Sequence, residues 1–307
     1  MIKKVLIIGG SGFIGRCIGE MFVSHGFDVR SFSPSSHTVN LPNGIIGIVG
    51  SIADKESIEK QIIWADCIMH FVSTTNPISS AKDPYNDVCS NLLPLIQLLD
   101  ILKIYPEKKF IFCSSGGAVY GNSLNLLLDE KAARNPKSSY GIVKCAMEDY
   151  ISYYQNIYNL DVLIIRPSNI YGPKHSSIGQ QGVISTLISN ALNNKVSVIW
   201  SSMDVGKDYL FVDDFAKALY LLIINNASGI FNIGYGETFT LNKIIREIEL
   251  VLEKPLNIEK KTGEYSLIDV PVKLDISKMV AFINWEPEIE LKDGINKINQ
   301  FFLNQIK

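Results

Sequence analysis

Val5-Leu6-Ile7-Ile8-Gly9-Gly10-Ser11-Gly12-Phe13-Ile14-Gly15 opens the chain with an apolar run short enough for a buried strand, then a glycine turn. Arg16-Cys17-Ile18-Gly19-Glu20-Met21-Phe22 follows with apolar positions at helical spacing. Strand, glycine turn and helix in that order let a backbone turn tightly and approach a pyrophosphate, which sits on unpaired N–H groups at the positive end of the helix. The stretch predicts a dinucleotide site rather than a glycine-rich turn that only packs.

Working outward, strands are expected near residues 4–9, 28–33, 45–49, 67–71, 109–114 and 162–166, and amphipathic helices near 13–25, 55–63, 86–104 and 140–157. Such alternation predicts an α/β fold with a Rossmann-type, doubly wound parallel sheet. Beyond about residue 170 the pattern changes to helices broken by short strands and polar loops such as 174–182. A smaller C-terminal substrate lobe is expected there. The division is a dinucleotide-binding domain over 1–170, joined by a helix near 213–226, and a substrate lobe over 171–307 that interleaves with it. From Leu291 to Lys307 a surface helix is expected, with Ile295, Ile298, Phe301 and Phe302 facing inward.

Composition bounds the answer. The chain has 307 residues, 47% hydrophobic and 20% charged, enough for a large core. A net charge of -2 with scattered basic residues leaves no footprint for nucleic acid. The apolar run after Lys3-Lys4 ends at Gly9 and no longer one occurs, so no membrane partner is expected and the reading is cytoplasmic. Five cysteines, Cys17, Cys67, Cys89, Cys113 and Cys145, are dispersed, as suits reduced thiols. His25, His37, His70 and His175 do not cluster with them, so no metal site is expected.

A second motif, Tyr140-Gly141-Ile142-Val143-Lys144, places a phenol and an ammonium one helical turn apart. A free tyrosine has a pKa of about 10, and a neighbouring cation favours the phenolate. Tyr140 is then a usable general acid/base.

With Phe110-Ile111-Phe112-Cys113-Ser114-Ser115-Gly116-Gly117-Ala118-Val119-Tyr120-Gly121, Arg166-Pro167-Ser168-Asn169-Ile170-Tyr171-Gly172-Pro173, Asp208-Tyr209-Leu210-Phe211-Val212-Asp213-Asp214 and Phe231-Asn232-Ile233-Gly234, these motifs resemble the extended short-chain dehydrogenase/reductases, in the branch of nucleotide-sugar epimerases, dehydratases and reductases. The resemblance covers nearly the whole chain. It implies NAD or NADP as cofactor, a nucleotide-sugar substrate, and a homodimer formed through the helices near 86–104 and 140–157. It implies cofactor contacts at Gly9, Gly12, Phe13, Ile14, Gly15 and Ser33. It adds Ser51, Ile52, Phe71, Val72, Asn91 and Pro167, together with Tyr140 and Lys144. In the family a serine or threonine orients the reacting oxygen, the tyrosine moves the proton, and the lysine binds the nicotinamide ribose. The hydroxyl is expected at Ser115, with Ser114 second, because counting back from Val119-Tyr120-Gly121 falls on Gly116; a glycine loop one residue longer reconciles the counts. Asn169 and Lys207 are the expected substrate contacts, and packing is the role expected of His70.

Departures narrow the reading. Gly117-Ala118 stand where the family's dehydratases carry an Asp-Glu pair, which disfavours dehydration. Ser33 stands where NAD users carry an acid that holds the ribose, so a 2′-phosphate is not repelled; Ser35, Ser36 and Arg30 are further candidates to bind it. The family's arginine clamp on the substrate diphosphate is reduced to Lys207, with Tyr265-Ser266-Leu267-Ile268 before Asp269. The leading expectation is an NAD(P)H-dependent reductase acting at C4 of a nucleotide-linked 4-keto-6-deoxyhexose, of the dTDP-4-dehydro-6-deoxyglucose reductase type, for surface polysaccharide synthesis. The alternatives are a nucleotide-sugar 4-epimerase of the UDP-glucose type and a non-catalytic dinucleotide sensor.

Overall fold

The structure is a computed structural model, and it describes residues 2–36, 39–121, 127–173, 182–200, 202–261 and 271–306. Residues 174–181 of the loop expected over 174–182, the stretch 265–269, His37 and His175 lie outside the described residues.

The first half runs β1 (Lys4–Ile8), α1 (Phe13–Ser24), β2 (Asp28–Ser33), β3 (Ile45–Val49), α2 (Lys55–Trp64), β4 (Cys67–His70), α3 (Pro77–Lys82) and α4 (Pro84–Asp87). A π turn (Val88–Leu92) leads into α5 (Leu93–Leu102), followed by β5 (Lys109–Cys113), α6 (Gly116–Tyr120), α7 (Ser139–Tyr158), β6 (Asp161–Pro167) and β7 (Asn169–Tyr171). Then come α8 (Val183–Leu192), β8 (Ser197–Ile199), β9 (Tyr209–Phe211), α9 (Val212–Ile224), β10 (Gly229–Ile233), α10 (Leu241–Leu252), β11 (Ile258–Lys260), α11 (Ser277–Ile283) and α12 (Leu291–Ile306).

Seven parallel strands form one sheet in the order β3-β2-β1-β4-β5-β6-β10. The sequence passes from β1 outward to β3 and returns beside β1 as β4. The crevice outside the carboxyl ends of β1 and β4 is thus the switch point at which doubly wound sheets bind ligands.

Both faces of the sheet are covered, which is why its strands are nearly all apolar. Val5, Ile7, Met69, Ile111 and Leu163 pack with Ile18 and Phe22 of α1 and with Phe215, Leu219 and Leu222 of α9. The alternate residues Leu6, Ile68, Phe110, Phe112 and Ile164 pack with Ile58 of α2, Leu98 of α5 and Met147 and Ile151 of α7. A third core gathers Ile184, Ile188, Phe211, Ile244, Ile248, Ile295 and Ile298, from α8, β9, α10 and α12. Ile295, Ile298 and Phe302 are buried as their spacing predicts. Residues beyond 170 also return to the sheet, since β10 adds its last strand and α9 lies against α1.

Two local features differ from expectation. The helix expected over 86–104 is split, because Pro94 has no N–H to continue the ladder; Leu93 N–H instead reaches back to Val88 O as a π turn. The stretch Gly116–Tyr120, expected as part of a glycine loop, is the short helix α6.

Candidate active site

Gly9 adopts φ +86°, and a Cβ there would lie 2.9 Å from Val72 N. Only glycine lets the turn rest on the Phe71–Val72 backbone that follows β4. Helix α1 starts at Gly12 without a capping side chain, so its first turn, which holds Phe13, Ile14 and Gly15, has no side-chain acceptor from the cap. A glycine-walled cradle at an uncapped helix start fits a pyrophosphate.

Beside it, hydroxyls replace the expected acid. Ser11 Oγ lies 2.7 Å from Ser33 Oγ and 2.9 Å from Ser35 Oγ, and Ser33 Oγ lies 2.9 Å from Ser36 Oγ. Arg30 is not part of this group. Strand alternation sends it to the opposite face, where its Nη1 donates to Gln61 Oε1 at 2.8 Å and its guanidinium lies 3.9 Å from the Trp64 ring centre. Ser51 and Ile52 follow β3; Ser51 Oγ accepts from Ala53 N and the Ile52 carbonyl from Gln97. Pro167 ends β6, paired with Ile233.

Tyr140 lies in the first turn of α7, which Ser138 caps by accepting from Gly141 N at 3.1 Å. Tyr140 N donates to Ser80 Oγ at 3.1 Å. The Ser115 hydroxyl acts on the Tyr140 phenol and favours its ionised form. Ser115 sits at the start of α6 and is half-buried, whereas Ser114 is buried with its Oγ unpaired among the described residues, and a Cβ on Gly116 would strike Leu274 at 2.9 Å. Of the candidate positions, Ser115 is the one whose hydroxyl acts on the phenol.

Lys144 is buried, its ammonium donating to Cys113 O at 2.9 Å and lying 5.7 Å from the Tyr140 ring centre. The expected lowering of the phenol by this cation is not found. Burial holds the Tyr140 phenol well above its ordinary range, Cys113 and Asp87 push the same way, and the Ser115 hydroxyl opposes them. Burial also moves Lys144 below its ordinary value.

His70 ends β4, buried against Phe112 with ring centres 5.5 Å apart. Burial and the Lys144 charge push its pKa down to about 3, so the imidazole packs as a neutral ring.

Asn91, on the π turn, accepts from Thr74 N at 2.9 Å and donates to Thr75 Oγ1, Asp87 O and Asp87 Oδ1, each at 3.1 Å. The Asn169 amide is held by Asp208 O at 2.8 Å, and Lys207 exchanges backbone hydrogen bonds with Phe239. Asp208 is buried; burial raises its pKa to about 6, against hydrogen bonds from Tyr235 N and Gly236 N.

Sequence reasoning named Asn91 as a cofactor contact but missed the two polar clusters of the site. One joins Asp87, Thr75, Asn91 and Ser139. The other is a buried ion pair, in which Arg166 Nε donates to Glu148 Oε1 at 3.0 Å and Nη2 to Oε2 at 2.6 Å. The i, i+4 spacing of Asp87 and Asn91 in a helical pattern was the available signal for the first; Glu148 carried none.

The family model described as "NAD dependent epimerase/dehydratase family" matches residues 5–234. A protein of Methanocaldococcus jannaschii named "Putative UDP-glucose 4-epimerase" is 32% identical, over 98% of both chains. The dTDP-4-dehydro-6-deoxyglucose reductase of Escherichia coli is 30% identical over 96% of both. The crystal structure of UDP-glucose 4-epimerase with UDP-glucose from Thermotoga maritima superposes with a TM-score of 0.91 at 26% identity, covering 99% of this chain and 100% of that one. Among the described residues no helix is long and apolar enough to cross a membrane.

Proposed function

The chain belongs to the NAD-dependent epimerase/dehydratase family, a family of nucleotide-sugar enzymes, and within it we propose that it transfers hydride at C4 of a nucleotide-linked hexose. The observation that carries this reading is the Tyr140–Lys144 pair on α7, the buried Lys144 ammonium lying 5.7 Å from the Tyr140 ring centre and donating to Cys113 O at the end of β5 at 2.9 Å.

Gly9, Gly12 and the first turn of α1 would hold the pyrophosphate, with the Ser33 group at the adenosine ribose and Phe71 and Val72 alongside. Bound nicotinamide would supply or accept the hydride. In the reductive direction Tyr140 gives its proton to the C4 oxygen as the carbonyl carbon takes up hydride, leaving an alcohol. The elevated phenol pKa keeps that proton in place until the oxygen becomes basic. Ser115 orients the same oxygen, and Lys144 neutralises the phenolate that results. Asn169 and Lys207 would contact the sugar and the diphosphate.

The leading net reaction is reduction of a 4-keto-6-deoxyhexose. The serine group supports it: with no carboxylate on the ribose, coenzyme exchange at every turnover is easier than retention through a full epimerisation cycle. It also leaves NADPH admissible, although Arg30 is turned away and the 2′-phosphate would meet hydroxyls alone. The second reading, a 4-epimerase, is favoured by the M. jannaschii relative and the T. maritima structure. Dehydration is disfavoured by Gly117-Ala118. A non-catalytic sensor would have no use for Tyr140 with Lys144.

The test is incubation with dTDP-4-keto-6-deoxyglucose and NADH or NADPH, followed at the reduced nicotinamide band. Stoichiometric loss supports the reductase and ranks the coenzymes. No loss, with UDP-glucose and UDP-galactose interconverting without added coenzyme, supports the epimerase. Neither reaction, with an unchanged biological effect in Tyr140→Phe, would leave the sensor.

We further infer a homodimer. Leu93 on α5 and Ile142, Tyr153 and Ile157 on α7 are all more than half exposed, an apolar surface suited to a partner copy. Sedimentation of the wild type against Ile142→Glu/Ile157→Glu tests it, the variant being expected to sediment as a monomer.

A further inference from the structure

Asp87 is a fully buried carboxylate that the proposed proton transfer leaves unused. Among the described residues its oxygens meet only neutral donors: Thr75 Oγ1–H at 2.6 Å and Asn91 Nδ2–H at 3.1 Å on Oδ1, and Ser139 Oγ–H at 2.9 Å on Oδ2. A buried charge without a counter-ion costs several kcal/mol unless hydrogen bonds compensate it.

The donors come from three different places. Thr75 lies in the segment after β4, two residues beyond the Val72–Ser73 pair. Asn91 lies on the π turn. Ser139 is the first residue of α7 and directly precedes Tyr140. The π turn sets Asp87 and Asn91 facing the same segment, so Thr74 and Thr75 are fastened twice, through Thr74 N to Asn91 and through Thr75 Oγ1 to Asp87. The preceding residues, Phe71 and Val72, carry the Gly9 turn. One carboxylate therefore ties the wall of the coenzyme cradle to the turn that bears the acid/base residue.

We propose that Asp87 is a positioning residue for the transfer at Tyr140, clamping the first turn of α7 to the segment behind the coenzyme cradle. The proposal rests on the reading of Tyr140 as the proton donor. The charge acts on both partners, since it disfavours the Tyr140 phenolate and favours the Lys144 ammonium. The other groups facing the pair are Cys113 of β5 and Glu148 further along α7, with His70 of β4 beside Lys144 as a neutral ring.

Asp87→Asn removes the charge and leaves one of Ser139 and Thr75 without its acceptor. Ser139→Ala keeps the charge and removes one strand of the clamp. With whichever nucleotide sugar the wild type turns over, Asp87→Asn is expected to lower kcat at least about tenfold with KM within about threefold. Because an anion beside both groups is lost, the alkaline limb of its kcat profile should move to lower pH by about one unit. Ser139→Ala should lower kcat with the limb unmoved.

Amide hydrogen exchange gives a readout independent of turnover. Asp87→Asn should exchange about tenfold faster at residues 74–76 and at 140–142 together. A lower Tm with kcat, limb and both exchange segments overlaying the wild type would mean that Asp87 only stabilises the fold, and overturns the proposal. If the wild type turns over no nucleotide sugar, the proposed function fails by itself, and the exchange pattern decides the clamp.

Discussion

Arg166→Met is the substitution whose cost the structure fixes most closely. The Arg166 side chain is 4% exposed and that of its partner Glu148 2%. Besides its two bonds to Glu148, Arg166 donates through Nη1 to the Tyr120 hydroxyl at 2.9 Å and to Glu130 O at 3.2 Å. Methionine fills much of the same space and makes none of these bonds. Glu148 is then left with Arg134 Nη1 at 3.5 Å, at the edge of hydrogen-bonding distance. Removing one member of a buried pair costs about 3–5 kcal/mol, because the other charge stays desolvated. At about 2.1 cal/mol/K per residue, a chain of 307 residues unfolds with an entropy of roughly 0.6 kcal/mol/K. The melting temperature should therefore fall by about 5–8 °C. Calorimetry of the wild type, Arg166→Met and Arg166→Met/Glu148→Met measures it, and the double variant should regain at least half of the loss. A fall under about 2 °C, or a double variant no more stable than the single, would refute the argument that the stranded carboxylate sets the cost.

Other outcomes follow from the same geometry. The fold keeps His70 neutral to about 3 while the unfolded chain takes its proton at the ordinary 6.5, so this contribution is lost as pH falls between those values; His70→Phe should flatten urea midpoints there, and an unchanged slope would contradict the assignment. Asp208 has the opposite sign, because its folded pKa of about 6 lies above the ordinary 3.8 and its contribution declines as pH rises between the two. Asp208→Asn, although less stable throughout for want of an acceptor, should lose that decline in the same titration. Ser115→Ala should lower kcat about a hundredfold, while Ser114→Ala, whose Oγ is unpaired among the described residues, should stay within about threefold; equal effects would reopen the choice between them.

Much of this was legible in the sequence because it depends on local pattern. Short continuous apolar runs and helical stripes placed the first six strands and their helices within a residue or two, and the glycine turn announced its own backbone needs. Contacts between distant segments were not legible. Nothing near Ser114-Ser115 says which hydroxyl acts on Tyr140, since that depends on how α6 and α7 converge. Arg30 and Ser33 are three apart, and only the pleat separates them onto opposite faces. The effect of Lys144 on the phenol was misjudged because spacing reports proximity and not desolvation. Pro94 was visible as a helix breaker, yet the π turn that absorbs it is recognisable only beside the Asp87–Asn91 pairing.

The placement of β10 bears on how the chain is made. It pairs with β6, yet begins at Gly229, long after β6 ends at Pro167. During synthesis β6 can pair with β5 at once, but its other edge, along the fully apolar residues Val162-Leu163-Ile164-Ile165, stays open until β10 is translated. Such edges template association between chains. A product truncated between α9 and β10 should be found in aggregates, and pausing in that interval should raise the demand for chaperones.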